Sequence, residues 1–156
     1  MDTIKKATIN DVSKIKFFVE KLAEYEKLSH LMVATEEDYK KWLFDQKTAE
    51  VYFAVEGEKE VGFALFFPTF STFLGKGGMW LEDLFVLPEY RGKGYGKALL
   101  SAVARTAEER GCGRLEWSCL DWNRPSIDFY RSLGAVPMDG WTTYRVCGKT
   151  LSDLAK

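Results

Sequence analysis

Seven residues, Arg91-Gly92-Lys93-Gly94-Tyr95-Gly96-Lys97, interleave glycine with basic and aromatic side chains, and their flanks give that run a chemical meaning. Upstream, the mostly apolar run 80–87 reads as a strand that Pro88 ends, because proline has no N–H for a sheet ladder. Downstream, Leu99, Leu100, Val103, Ala104 and Ala107 fall at helical spacing. A helix start leaves backbone N–H groups unpaired and concentrates positive partial charge, so a loop stripped of side chains there can wrap an anion closely. Phosphate or pyrophosphate is the ligand such a turn fits. Two other phosphate loops fail by spacing: G-x-G-x-x-G read from Gly92 puts Lys97 in its last place. A Walker A loop needs Ser or Thr for magnesium where Ala98 stands.

The elements that must hold this turn are legible along the chain. Residues 4–9 read as a first strand, after which Asn10 or Asp11 can cap a helix whose apolar side is Val12, Ile15, Phe18, Val19, Leu22 and Ala23, ending near Lys27. Thr35-Glu36-Glu37-Asp38 approximates a capping box for a short helix carrying Tyr39, Trp42 and Leu43. Runs 51–55 and 61–67 are rich in β-branched and aromatic residues, and 56–59 between them fits a hairpin turn. Residues 68–78 are aromatic and then glycine-rich, which predicts a long mobile loop. Gly111 stops the helix that follows the glycine turn. Run 115–119 is a fifth strand, parallel to the fourth because a helix connects them. Asn123-Arg124-Pro125-Ser126 opens another helix, with proline where its missing donor costs nothing, and Gly134 ends it. Run 141–146 alternates as a final strand, and 150–153 can cap a short tail helix.

Composition bounds the possibilities. A chain of 156 residues, 46% hydrophobic and 29% charged, supports one globular domain with a real core. A net charge of −1 supplies no general attraction for nucleic acid or anionic membrane, so a cationic partner needs a local acidic cluster. No window approaches the run of about 18 to 20 apolar residues that a membrane span requires, and the polar start lacks a signal segment, so cytoplasmic residence is expected. Cys112, Cys119 and Cys147 lack zinc or disulfide spacing. His30 is the only histidine, which leaves a Ser-His-Asp or Cys-His nucleophile without a base near Ser126 or the cysteines.

R-G-x-G-x-G after a strand ending in Val-Leu-Pro resembles the coenzyme loop of the GCN5-related N-acetyltransferase (GNAT) superfamily. Asn123-Arg124-Pro125-Ser126-Ile127-Asp128-Phe129-Tyr130, followed by Leu133-Gly134-Ala135, resembles a second segment of that superfamily in the expected order. The resemblance implies an α/β fold for 1–156: a single mixed, mostly antiparallel sheet of about six to seven strands, splayed between the fourth and fifth, with about four helices. It implies acetyl-coenzyme A as co-substrate and no metal. Arg91, Gly92, Lys93, Gly94, Tyr95, Gly96 and Lys97 would hold the pyrophosphate, with Asn123, Pro125, Ser126 and Tyr130 also on the coenzyme. Backbone N–H groups at Leu84, Phe85 and Val86 would face the oxyanion.

The implied reaction is attack by a neutral amine on a thioester. A substrate ammonium with a pKa of about 10 must first lose its proton, which costs about 4 kcal/mol at neutral pH at 1.36 kcal/mol per unit. The departing thiolate must gain one, and a tyrosine hydroxyl beside sulfur can give it; the resemblance assigns that to Tyr130.

Segments 22–26, 80–86, 90–92, 122–130 and 140–141 are similar to the diamine (spermidine/spermine) and thialysine acetyltransferase branch. By that match Glu82 is the base, and Tyr25, Glu26, Glu116, Trp117, Ser118 and Asp139 border the acceptor. Regular strand alternation would put Asp83 on the face opposite Glu82. The implied acceptor is a primary amine of a small cationic metabolite, a polyamine or a lysine-like molecule; the polyamine enzymes carry an aspartate and a tryptophan where Ser71-Thr72-Phe73 stands here, which removes an anchor for a spermine-like substrate, and thialysine-type members resemble this loop more closely at Ser71. The branch implies a homodimer. Acetylation of a protein or peptide amine, and acyl-coenzyme A sensing without turnover, are the other functions compatible with these residues.

Overall fold

The computed structural model describes residues 3–156, which form two compact units, one running to Ser118 and one from Cys119 to Lys156. The first unit is built on one five-stranded sheet in the order β1 (Ile4–Lys6), β2 (Glu50–Glu56), β3 (Lys59–Ser71), β4 (Lys76–Val86) and β5 (Leu115–Glu116). The first four strands are antiparallel and β5 runs parallel to β4. Helices α1 (Val12–Tyr25), α2 (Glu36–Tyr39) and α3 (Tyr95–Glu109) complete this unit, while α4 (Arg124–Ser132) and α5 (Gly148–Leu154) belong to the second. Among the described residues no helix is long and apolar enough to cross a membrane.

Register explains why the sheet is covered on both faces. Phe53, Phe63 and Phe85 stand side by side across β2, β3 and β4, and pack with Ile15 and Phe18 of α1 into one core. Alternate positions point the other way. Tyr52 lies on that second face and shares a 2.7 Å hydrogen bond with Thr106 of α3, whose Leu99, Leu100, Val103 and Ala107 are buried. Only Met79 and Trp80 of β4 pair with β5, so the two strands part beyond them and leave the rest of β4 with a free edge.

Several expectations change. The first strand stops at Lys6, because Thr8 opens a helical turn over Ile9–Asp11 and forms a reciprocal capping box with Asp11; Asp11, one of the two expected cap residues, then stands at the N-cap of α1 without a side-chain hydrogen bond to that helix. Thr35 and Asp38 form the box expected there. Residues 68–78 are not a loop: β3 continues to Ser71 and β4 begins at Lys76, around a turn in which Ser71 accepts N–H groups from Leu74 and Gly75. The glycines allow this pairing, since a Cβ on Gly78 would stand 2.7 Å from the Thr69 hydroxyl. The fifth strand keeps two residues of the five expected. Run 141–146 forms no ladder, because alternation makes a strand only where a partner edge is offered, and none of 119–156 is a strand. Among the described residues, five strands therefore stand where six to seven were expected.

Gly62 is where β3 backs closely onto the backbone of the site-bearing strand: a Cβ there would lie 2.8 Å from the Phe85 carbonyl oxygen and 3.1 Å from Val86 Cγ2. Relief requires the strands to separate. Gly62→Ala should therefore destabilise the protein by about 1–3 kcal/mol, the usual range for overpacking, read from chemical unfolding.

Candidate active site

The glycine turn stands between the end of β4 and the start of α3. Gly92 and Gly94 take φ of +79° and +89°, and no protein atom lies within 4 Å of where a Cβ would stand on either. Gly94 caps α3 without a side chain, its carbonyl accepting from Ala98. The N–H groups of Tyr95, Gly96 and Lys97 precede the first intrahelical donor and point out of the helix start. Gly96 sits on the strand end, where a Cβ would be 3.9 Å from Val86. This cradle of backbone donors fits a diphosphate. The side chains turn elsewhere: Lys93 and Tyr95 both reach Glu56 of β2, at 3.2 and 2.8 Å, and Lys97 is exposed. Arg91 donates Nε–H to the Val86 carbonyl at 2.9 Å, with its guanidinium 4.9 Å from the Tyr25 ring and 5.2 Å from Phe85. It borders a cavity of about 750 Å³ between α1 and the end of β4.

The free edge of β4 supplies a second set of donors. Leu87 N–H bonds the Val61 carbonyl, so in antiparallel register Phe85, two residues back, also faces β3 and gives its N–H to Phe63. Leu84 and Val86 point their N–H groups to the opposite, unpaired edge. Of the three residues named from sequence, Leu84 and Val86 carry the open donors.

The acids lie where β4 is irregular. Leu81 faces Phe66 and Asp83 faces Leu65, leaving Glu82 as the extra residue of a β-bulge. The bulge interrupts simple alternation: Leu81 and Asp83, two residues apart, fall on opposite faces, with Asp83 on the α1 face beside Leu65 and Phe85. Burial pushes the Asp83 carboxyl up to about 7, helped by the charges of Glu82 and Glu26. Glu26, just past the end of α1, is raised by its own burial and by Glu82. Three carboxylates thus feel one another at half-buried to exposed positions. Tyr39 of α2 is pushed up to about 12, by burial first and then by Asp83.

The remaining sequence-derived residues take these places. Glu116 ends β5 and pairs with Arg114 at 3.0 Å, followed by half-buried Trp117 and exposed Ser118. In the second unit, Asn123 is buried and its side-chain oxygen caps α4 by accepting from Ser126 N–H at 3.4 Å, with Pro125 in the first turn. Tyr130 is half-buried in α4 with its ring 5.6 Å from Phe129, and Asp139 is exposed in a turn. Sequence reasoning passed over Glu56 and gave Tyr39 only to the apolar side of a helix. Neither carries a local signal, since Glu56 is one of two acids in an ordinary hairpin turn. Among the described residues no group of three or more ligating side chains is arranged to hold a metal ion.

Comparison with known proteins agrees with this geometry. The model of the acetyltransferase (GNAT) family matches residues 17–135. The chain is 35% identical to a thialysine N-epsilon-acetyltransferase of Bos taurus, over 97% of this chain and 96% of that protein. It is 32% identical to an L-ornithine N5-acetyltransferase of Arabidopsis thaliana, over 98% and 87%. Among solved structures, an integron cassette protein from the mobile metagenome of V. cholerae is 31% identical with a TM-score of 0.79, covering 98% of this chain and 96% of that one. A ribosomal-protein-alanine N-acetyltransferase from Brucella melitensis shares the fold at 22% identity and a TM-score of 0.74, covering 95% and 100%. A strand with a free edge, a glycine turn at the start of the next helix and a family match across both agree, and the chain belongs to the acetyltransferase (GNAT) family, enzymes that take their acyl group from acetyl-coenzyme A.

Proposed function

We propose that the chain acetylates a primary amine of a small cationic metabolite, a polyamine or, better suited, the side-chain amine of a lysine-like amino acid. The observation that carries this is the carboxylate group of Glu26, Glu82 and Asp83 beside the free donor edge of β4. Clustered acids attract an ammonium strongly where water is partly excluded. The ornithine and thialysine enzymes, matched over nearly their whole length, favour the lysine-like end of the class. So does Ser71, which is buried and accepts from Leu74 N–H where polyamine enzymes resemble one another in carrying an acid.

In the proposed reaction Glu82 takes the ammonium proton, directly or through water, and the amine nitrogen attacks the thioester carbon. Leu84 and Val86 N–H groups steady the oxyanion as the C–S bond breaks, and Tyr130 gives its proton to the sulfur; the nitrogen sheds its extra proton, the phenolate regains one, and Glu82 returns the proton it took to solvent. The turn 91–97 holds the diphosphate through its backbone, and Asn123, Pro125 and Ser126 contribute to the coenzyme site. Tyr25, Glu116, Trp117, Ser118 and Asp139 border the acceptor. Both units act as one N-acetyltransferase domain, in a cytoplasmic homodimer, on the strength of the family resemblance.

Thiol release from acetyl-coenzyme A, measured against thialysine, ornithine, lysine, putrescine, spermidine and a lysine-containing peptide, tests the substrate class. Turnover of the free amino acids above the peptide is expected; turnover of the peptide alone, or of none, overturns it. Tyr130→Phe should lower kcat by roughly 10²-fold or more, as loss of a general acid does, with little change in coenzyme binding by calorimetry.

The acid cluster sets a pH dependence. Asp83 sheds its proton as pH rises through about 7 and adds a negative charge to the acceptor side, so kcat/KM for a cationic amine should climb across that range. Asp83→Asn, which removes the group that titrates there, should flatten the rise, while Glu82→Gln should abolish most of the rate at every pH.

Stability should respond oppositely. A folded-state value above the unfolded one, about 3.9 for Asp, gives stability present at low pH and lost as pH rises through the folded value. Asp83→Asn should therefore gain Tm over the parent protein between about pH 4 and 7, with a constant advantage above, in scans against pH.

A further inference from the structure

Glu56 closes β2 and, among the described residues, is the only side chain from outside the glycine turn that hydrogen-bonds Lys93 or Tyr95. Its Oε1 accepts from the Tyr95 hydroxyl at 2.8 Å and from Lys93 Nζ at 3.2 Å. The hairpin aims it there. Ala54 pairs with Gly62 but Val55 with Glu60, so Val61 is a bulged extra residue that re-sets the direction of the last two positions of β2. Gly57, at φ +65°, then lets the chain turn back immediately. Lys93 and Tyr95 each follow a left-handed glycine, and α3 begins without a capping side chain. Without Glu56, Lys93 would keep only its place over the Tyr90 ring, 5.3 Å from its centre, and Tyr95 would lose the side-chain hydrogen bond that tethers the helix start.

We infer that Glu56 is a positioning residue for acetyl-coenzyme A, drawing Lys93 and Tyr95 to the β2 side of the turn so that its backbone N–H groups stand ordered and uncovered for the diphosphate. Its own charge is neutralised by Lys93, so it does not set a bare carboxylate against the incoming anion. Glu56 acts this way only if the glycine turn is the diphosphate site, as proposed above. Ordering two side chains in advance removes a cost that coenzyme binding would otherwise carry.

The full-length protein is assayed with acetyl-coenzyme A varied at saturating amine and the reverse. Glu56→Ala should raise KM for acetyl-coenzyme A by about five- to tenfold, with kcat and the amine KM within about twofold. Glu56→Gln, which still accepts from Tyr95, should recover most of the loss. Adding Tyr95→Phe to Glu56→Ala should cost little more, because both remove the same contact. An unchanged or lowered KM for acetyl-coenzyme A, additive effects, or an equal rise in the amine KM overturns the assignment. Gly94→Val, strained at φ +89°, separates the two readings: if it spares coenzyme affinity the turn is not the diphosphate site, and if it weakens affinity while Glu56→Ala does not, the positioning role alone is lost.

Discussion

A strand that loses its neighbour halfway along must expose backbone donors, and this fold is arranged around that loss. β4 pairs with β5 only at Met79 and Trp80, yet keeps β3 along its other edge to Val86. The result is a rigid strand with one side satisfied and the other open. Unpaired N–H groups inside a protein are costly unless something accepts from them. Leu84 and Val86 N–H groups on a free edge, continuing into a glycine turn and a helix start, line up donors for a ligand that is carbonyl at one end and phosphate at the other.

The acids follow from an interruption in the same strand. A regular ladder would put Leu81 and Asp83 on one face. The bulge places Asp83 on the α1 face, where burial and the nearby Glu82 and Glu26 raise it to about 7. Like charges held together raise one another's proton affinity. Such a cluster is unfavourable for folding at neutral pH and favourable for an ammonium, which is the signature of a site that gives up stability for binding.

Surrounding packing keeps the strand in place. Phe53, Phe63 and Phe85 lock β2, β3 and β4 together on one face, and α3 covers the other. Gly62 permits the close approach that brings β3 against Val86. Arg91 illustrates how a motif residue can serve the scaffold: its side chain returns to the Val86 carbonyl and the Tyr25 ring, away from the turn it introduces.

The residue sequence by itself determined the punctuation and the chemistry-bearing types: Pro88 ending a strand, glycines that only a turn would need, Thr35 and Asp38 as a box, the helical stripe from Leu99 to Ala107, and a pair of acids before the turn. These are local, because caps, glycine φ and apolar periodicity depend on neighbours a few residues away. Tertiary structure alone decided the rest. That 68–78 forms a hairpin, that 141–146 finds no partner, that Glu82 is bulged and that Glu56 reaches Lys93 and Tyr95 all depend on pairing across many residues. Register is chosen by which edges meet, and a side chain's burial and charge environment exist only once they have met.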